Sequence, residues 1–301
     1  MAFNPQVIGV SNTGGAYPST TTFAKNKDNN LVVTSNGDPY PALSANVVDQ
    51  KNRTFLDDEH IIVHQNYNFT FVYRATNNTQ QPQTINALPY AVFANGVTAL
   101  RPNKRAIPKC ETVLPKGLNY DGVYFQDKFG ADNAGGYPDA NGAYHYYTGQ
   151  FVTQAWQNPK FVNSTPYYQA TDYNGDNMRH PDGHSKIIGY AFDGYPIYGS
   201  WGYQNPLDKL SVVEQMESGY KKLISDNHRP KRFKSTDVIY IDEVETPLEL
   251  GVFVEDYVYK EAAGDLDIHN GRYCITPDYP EGTYAYFVTF KKGTSEPAYP
   301  Y

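Results

Sequence analysis

The residues best suited to chemistry in this chain are histidines within tyrosine-rich blocks. His145 lies in Gly142-Ala143-Tyr144-His145-Tyr146-Tyr147, and His184 opens a later block that runs to Gly199. Imidazole nitrogens bind transition metals and a carboxylate can complete the ligand set, so His145, His184 and Asp193 are candidate ligands of a loop metal site. The alternative, which we favour, is that both histidines are structural, hydrogen-bonded where tyrosine-rich loops cross.

The other histidine pairs do not predict a metal site. His60 and His64 share a face of a strand pattern, but four strand residues span about 13 Å, too far for one ion. His180 and His184 have the spacing of a helical zinc site. The intervening Pro181-Asp182-Gly183, however, forbids a regular helix.

Signatures of nucleophilic catalysis and nucleotide binding are missing from the sequence. Gly183-His184-Ser185-Lys186 contains a serine beside a histidine, but adjacent residues of an extended chain point apart, and there is no G-x-S-x-G elbow. No phosphate loop or dinucleotide fingerprint is present. Cys110 and Cys274 lie far apart without a CxxC motif, which predicts free thiols in a reducing compartment. We therefore lean against an enzyme.

Composition narrows the function classes further. The 301 residues carry 25 Lys+Arg and 32 Asp+Glu, a formal net charge of −7, which argues against nucleic-acid binding. The basic run at 228–234 is interpreted as a solvated loop. No stretch is apolar enough for a membrane helix, and the N-terminal residues do not resemble a signal peptide. The 28 tyrosines with abundant Gly and Pro favour loops and contact surfaces.

The elements that would position these residues are mainly short strands. Residues 1–30 predict an extended N-terminal arm with at most one short strand, and β-type runs closed by turn signals begin at Leu31. Aromatic residues at 67, 69, 71 and 73 fall on one face of a half-buried strand. Long ordered loops are expected between about 103 and 184.

One helix is predicted in an insertion at about 205–235. Asn205 and Pro206 supply an N-cap and a first-turn proline, and apolar residues from Leu207 to Ile224 recur at helical spacing, giving a helix over about 206–226. The predicted fold class is therefore mainly β: an antiparallel sandwich or distorted barrel with long ordered loops and one inserted helix.

Five sequence blocks, in order along the chain from about residue 31 to its end, resemble the YHYH-domain family. They are Thr34-Ser35-Asn36-Gly37, Ala94-Asn95-Gly96-Val97, the two histidine blocks above, and the segment Leu266–Tyr286 that includes Asp267, Asn270 and Arg272. The resemblance implies one β domain over 31–301 but no assigned chemistry. Members look like secreted bacterial proteins or, in another branch, structural proteins of cyanobacterial phages, and the polar arm of this chain is more similar to the phage branch.

This chain departs from the family pattern at three positions. Tyr147 stands where the motif ends in a second histidine, Ala285 replaces the histidine of a later Tyr-His-Tyr, and His269 replaces a common cysteine. Residues i and i+2 of a strand share a face, so the family pattern would pair two imidazoles where this chain offers His145 and Tyr147. The loss of these histidines weakens the case for a metal site in this chain.

The tyrosines of these blocks allow two interpretations. They are core aromatics whose hydroxyls tie loops to the backbone, which we favour, or an exposed platform for a glycan or a protein. The candidate binding residues are Tyr144, His145, Tyr146, His184, Asp193, Tyr195, Tyr198, Asp267, Asn270 and Arg272.

The sequence leads to one functional expectation and two alternatives. We expect a phage virion structural protein of the tail, baseplate or fibre region, assembled in the host cytoplasm. It would bind other virion proteins in an oligomeric assembly, or a glycan or protein of the host surface. No cofactor, nucleic acid or membrane span is expected. The first alternative is a metal-binding protein or metal-dependent enzyme of the YHYH family that uses His145 and His184, with secretion as its localisation. The second alternative is a glycan-binding module.

Overall fold

A computed structural model of the protein describes residues 21–38, 47–49, 54–55, 61–71, 89–131, 135–148, 179–230, 232–292 and 296–301. Residues 1–20 of the predicted arm, His60, and positions 72 and 73 of the aromatic strand lie outside these ranges.

The described elements are almost entirely strands, which confirms the mainly β prediction. They are β1 (Thr21–Lys25), β2 (Leu31–Ser35), β3 (Val47–Asp49), β4 (Thr54–Phe55), β5 (Tyr67–Phe71), β6 (Ala91–Phe93), β7 (Thr98–Ala99), β8 (Asn103–Lys104), β9 (Tyr120–Asp121), β10 (Gly136–Pro138), β11 (Tyr144–Tyr146), β12 (Ile187–Ala191), β13 (Pro196–Tyr198), β14 (Trp201–Tyr203), β15 (Val213–Gln215), β16 (Tyr220–Lys222), β17 (Val238–Ile241), β18 (Val244–Pro247), β19 (Tyr257–Tyr259), β20 (Gly271–Cys274) and β21 (Thr283–Phe287). Short 3-10 turns cover Gln126–Phe129, Asp226–His228 and Val254–Asp256.

Eight of these strands form the central sheet, in the order β10-β11-β7-β6-β12-β13-β21-β20. The pairs β11 with β7 and β13 with β21 are parallel, and the other neighbours are antiparallel. Along β12, Ile188 and Ala191 enter one hydrophobic core while Ile187 and Tyr190 enter a second. Both faces of the sheet are therefore buried, which explains the continuous apolar run of this strand.

A glycine in β12 permits the close approach of its neighbour. The register between β12 and β13 shifts between Ile187 and Gly189, and a Cβ at Gly189 would lie 2.6 Å from the carbonyl oxygen of Val92 on β6. A side chain at this position would push β6 away from the middle of the sheet.

A three-stranded sheet of order β1-β2-β5 covers the second core. Leu31, Val33 and Phe71 point from it into the cluster that contains Tyr190. Tyr67 stacks on Phe69, and Phe69 contacts Phe71, as the alternating aromatic pattern predicts. β1 pairs along its length with β2, so the predicted boundary at residue 30 falls in the turn of this hairpin. The described sheets are open, which agrees with a sandwich-like packing rather than a closed barrel.

The predicted helix over 206–226 is wrong. The segment instead contains β15 and β16, and the 3-10 turn at Asp226–His228 is its only helical turn. The side chains of Asn205 and Asp208 accept the backbone N–H groups of Leu207 and Leu210, which fixes tight local turns in place of a helix. The helical spacing of the leucines therefore does not correspond to a buried face.

The region that carried the helix prediction is built from three two-stranded sheets, β14-β15, β16-β19 and β17-β18. One buried ion pair, Arg229 with Asp256, ties its loops together. Among the described residues, no helix is both long and apolar enough to cross a membrane.

Candidate functional site

The first histidine of the family blocks, His145, lies inside a cage of aromatic rings. Strand β11 carries it directly opposite Tyr137 of β10, and the two ring centroids are 4.6 Å apart. The ring of Tyr147, at the position that departs from the family motif, lies 5.3 Å away on the same face of the chain. The hydroxyls of Tyr137 and Tyr147 are hydrogen-bonded to each other, which closes the cage.

The electrostatic environment keeps the His145 imidazole neutral. Burial and the nearby Lys104 ammonium lower the pKa of His145 to about 4. Lys104 itself lies over the Tyr147 ring at 4.5 Å, and its burial lowers its own pKa to about 8. The neutral imidazole donates from Nδ1 to the carbonyl oxygen of Ala143, at 3.2 Å, and its buried Nε2 has no hydrogen-bond partner among the described residues.

The second histidine, His184, has the same tautomer in a different cage. Its Nδ1 donates to the carbonyl oxygen of Ser185 at 2.7 Å, and its Nε2 is also buried with no hydrogen-bond partner in the part of the chain that the structure describes. Rings of Tyr198, Tyr203 and Phe287 surround the imidazole at 5.0 to 6.0 Å. Burial lowers the pKa of His184 to about 4, although the nearby carboxylates act in the opposite direction.

Two carboxylates hold the cage around His184 through its tyrosines. Tyr203 donates to Asp182, and Tyr198 donates to Asp278 at 3.0 Å. His180 lies 3.2 Å from the same oxygen of Asp278. The segment between His180 and His184 is a turn closed by the bond from the His180 N–H to the His184 carbonyl, and not a helix.

The structure does not bring the three candidate metal ligands together. His145 contacts Tyr137 of β10 and Tyr147, the residue after β11. His184 contacts Tyr198 of β13 and Tyr203 of β14. Asp193 accepts the N–H of Tyr195 in a turn and the hydroxyl of Tyr286. Within the described residues, no group of three or more His, Cys, Asp or Glu side chains is arranged to hold a metal ion.

The remaining predicted binding residues hold turns and strand ends. Asp267 accepts the N–H of His269 and the hydroxyl of Tyr284, and Asn270, at φ 59°, donates to the carbonyl of Phe287. Arg272 donates to the carbonyl of Tyr203. Asp267 and Asn270 therefore fasten the turn before β20 to strand β21, and Arg272 joins β20 to β14.

The tyrosines of the blocks are mostly core residues. Tyr144, Tyr146 and Tyr198 are buried, whereas Tyr195 is half-buried and packs against the ring of Tyr284. Asn95 donates to the Tyr146 hydroxyl, which ties the Ala94–Val97 block to the histidine block. The burial of Tyr144, Tyr146 and Tyr198 agrees with the interpretation of these tyrosines as core aromatics.

Several residues of the two cages are not apparent from sequence. Tyr137 lies opposite His145 through the pairing of β10 with β11, Lys104 comes from the separate sheet β8-β9, and no local pattern marks either residue. Asp182 and Asp278 each follow a proline in a sequence typical of turns. That pattern does not reveal which tyrosine hydroxyl donates a hydrogen bond to each carboxylate.

The fold and the two cages define a mainly β protein in which the tyrosine-rich histidine blocks contribute buried core residues. The family model described as YHYH protein matches residues 68–296, most of the chain. The chain therefore belongs to the YHYH family. No curated protein and no solved structure matches it.

Proposed function

We propose that this protein is a structural protein of a phage virion, placed in the tail, baseplate or fibre region, where it docks onto neighbouring subunits. At an outer position the same surfaces would adhere to the host. The resemblance to the cyanobacterial-phage branch motivates the virion assignment, and the exposed apolar residues of the structure support docking.

The observation that carries the proposal is a row of aliphatic side chains on the loop between β14 and β15. Leu207 is 63% exposed, Leu210 86% and Val212 65%. Single exposed apolar residues are common on any surface, but three within six consecutive positions are typical of a contact site.

This loop is preorganised to present those side chains. Gln204 donates its N–H to the carbonyl of Val212, which closes the loop. The Asn205 and Asp208 side chains fix the turns within it. A loop that is already ordered loses little conformational entropy when a partner binds.

Mass spectrometry of purified phage particles tests the virion assignment directly. The protein should be present in intact particles at a fixed ratio to the other structural proteins, and its absence would overturn the proposal. Leu210→Asp should reduce incorporation because it places a charge in the contact. The control Lys209→Asp introduces the same side chain at the adjacent position and should incorporate better than Leu210→Asp.

A further inference from the structure

Strand β17 carries a free backbone edge. It pairs with β18 in the register Val238 with Pro247 through Ile241 with Val244, and the Leu248 N–H donates to the Asp237 carbonyl in the same register. Antiparallel ladders alternate bonded and non-bonded pairs, so the odd-numbered residues of β17 bond toward β18. The N–H and C=O groups of Val238 and Tyr240 therefore point away from β18.

These groups face a groove whose other wall is the segment 109–112. The two walls meet at one end, where Asp242 donates its N–H to the Lys109 carbonyl at 3.0 Å. Beyond that bond, no backbone hydrogen bond within the described residues joins Val238 or Tyr240 to the segment. The groove has a volume of about 670 Å³, room for a short extended peptide.

One face of β17 is anchored while its edge and outer face stay open. Ile239 and Ile241 are buried in the first core. Val238 and Tyr240 alternate with them and are 40% and 56% exposed. The strand is thus rigidly held and offers about 13 Å of extended backbone to an added strand.

The charges around the groove favour a basic occupant. Its walls carry the carboxylates of Glu111, Asp242 and Glu243 against one ammonium, Lys109, which is paired with Asp242 at 3.1 Å. A second copy of the same edge would bring like charges together, whereas a basic segment would complement them.

We propose that the edge of β17 accepts an extended, basic segment of a partner protein as an added antiparallel or parallel strand. The inference rests on the proposed function and deepens it, because the partner would be a neighbouring virion subunit. Main-chain hydrogen bonds to Val238 and Tyr240 supply the pairing, and lysine or arginine side chains face the carboxylates of the groove.

A binding experiment on the full wild-type chain tests the strand pairing. The probe is a fluorescein-labelled eight-residue peptide of alternating lysine and threonine, followed by fluorescence anisotropy at low salt. We expect saturable binding, and at least tenfold weaker binding of the matching glutamate-threonine peptide. The proposal would be overturned if binding of the basic peptide did not saturate up to about 1 mM, because the Kd would then be weaker than that of most specific contacts.

Backbone methylation separates strand addition from charge attraction alone. Two further peptides carry N-methyl groups on every lysine amide or on every threonine amide, with the same charge. Only one set of amides faces β17, so one methylated peptide should lose at least tenfold in affinity and the other much less. Equal affinities for both would contradict strand addition.

Protein variants locate the site. Glu111→Lys should weaken basic-peptide binding at least fivefold, whereas Glu261→Lys makes the same charge change at an exposed position outside the groove and should change it less than twofold. Tyr240→Pro removes an edge N–H and should abolish binding. Its control, Glu245→Pro, removes the outward N–H of the opposite strand edge. Equal effects within either pair would overturn the assignment to this groove.

The outcomes separate this inference from the proposed function. A protein present in particles that fails to bind the peptide would remove the β17 edge as a docking site and leave the virion assignment intact. A protein absent from particles that binds the peptide with the expected methylation pattern would keep the edge and remove its virion partner. Self-association that Tyr240→Pro abolishes would identify a second copy as the occupant and overturn the basic-segment assignment.

Discussion

The central sheet and the region of the three two-stranded sheets are stabilised in different ways. This second region spans strands β14 to β19, residues 201–259, and is called the hairpin region. The central sheet buries neutral imidazoles, His145 and His184, inside aromatic cages. The hairpin region buries a charged pair, Arg229 and Asp256, both almost completely inaccessible to solvent.

The difference follows from the cost of removing charge from water. A neutral imidazole is buried at modest cost, whereas a buried ion pair needs further hydrogen bonds to offset desolvation. Arg229 donates to the carbonyls of Leu248 and Glu249 as well as to Asp256, and the Asp256 carboxylate accepts the Gly251 N–H. The Arg229–Asp256 junction thus adds to the apolar packing of this region, where Phe233, Ile239 and Phe253 enter the first core, while the histidines of the central sheet are enclosed by aromatic rings.

The largest effect is expected at that junction. Arg229→Met should destabilise the protein by about 3–5 kcal/mol because it leaves the Asp256 carboxylate buried without its counter-ion. Urea unfolding at pH 7 measures the free energy of unfolding. The control, Arg232→Met, alters an exposed arginine and should cost less than about 0.5 kcal/mol. A loss below about 1 kcal/mol at Arg229 would show that the pair does not anchor the hairpins.

The histidine cages should make the central sheet sensitive to acid. The pKa of each imidazole is about 4 in the folded protein and about 6.5 when unfolded, so the unfolded state binds more protons between these values. The stabilisation is complete above about pH 6.5 and is lost as the pH falls toward 4. Each histidine should account for about 3 kcal/mol of that loss at 1.36 kcal/mol per pKa unit.

Single substitutions measure the contribution of each cage. The loss of unfolding free energy between pH 7 and pH 4 should be about 3 kcal/mol smaller in His145→Phe or His184→Phe than in the wild type. A variant with an unchanged pH dependence would mean that its imidazole is not held neutral in the folded protein.

A smaller effect should distinguish the two cages. Lys104→Met removes the cation that faces His145, so the pKa of His145 should rise while that of His184 stays the same. The methionine can still pack on the Tyr147 ring. NMR titration of the two imidazoles checks this, and equal movement of both would show that Lys104 does not act locally.

The smallest effect is expected on the exposed loop. Leu210→Ser should change the free energy of unfolding by less than about 0.5 kcal/mol, since the side chain is 86% exposed. Leu266→Ser, at a buried leucine of the second core, should cost more than about 2 kcal/mol in the same assay. A comparable cost at both leucines would mean that Leu210 packs within the protein and is not available for docking.

The strands with alternating aromatic residues were predictable from sequence, as were the turns. The Tyr67–Phe71 strand, the turn after Phe93 and the Asp193 turn all follow from local patterns. The helix prediction failed because the spacing of Leu207 and Leu210 is compatible with helix, while Asn205 and Asp208 offer the backbone competing hydrogen bonds. Spacing alone does not reveal which partner the backbone takes.

The candidate site was partly predictable. The structural interpretation of the block histidines and tyrosines was the favoured one, and His145, His184, Tyr144, Tyr146 and Tyr198 are buried. The neighbours Lys104 and Asp278 were not predicted, because they come from distant parts of the chain. Asp182 lies two residues before His184, but its bond with the Tyr203 hydroxyl is not apparent from the local sequence. Likewise, the free edge of β17 was not predictable, because it exists only where segment 109–112 diverges from the strand after a single hydrogen bond.

The sequence by itself determined the mainly β character and the family, because these depend on residue type and on contacts between near neighbours. The tertiary structure alone decided that His145 and His184 occupy separate cages, that the leucines of the 204–212 loop face solvent, and that β17 keeps an open edge. Each of these depends on which distant strands pair, and the free energy of pairing comes from burial and hydrogen bonds between segments far apart in the chain.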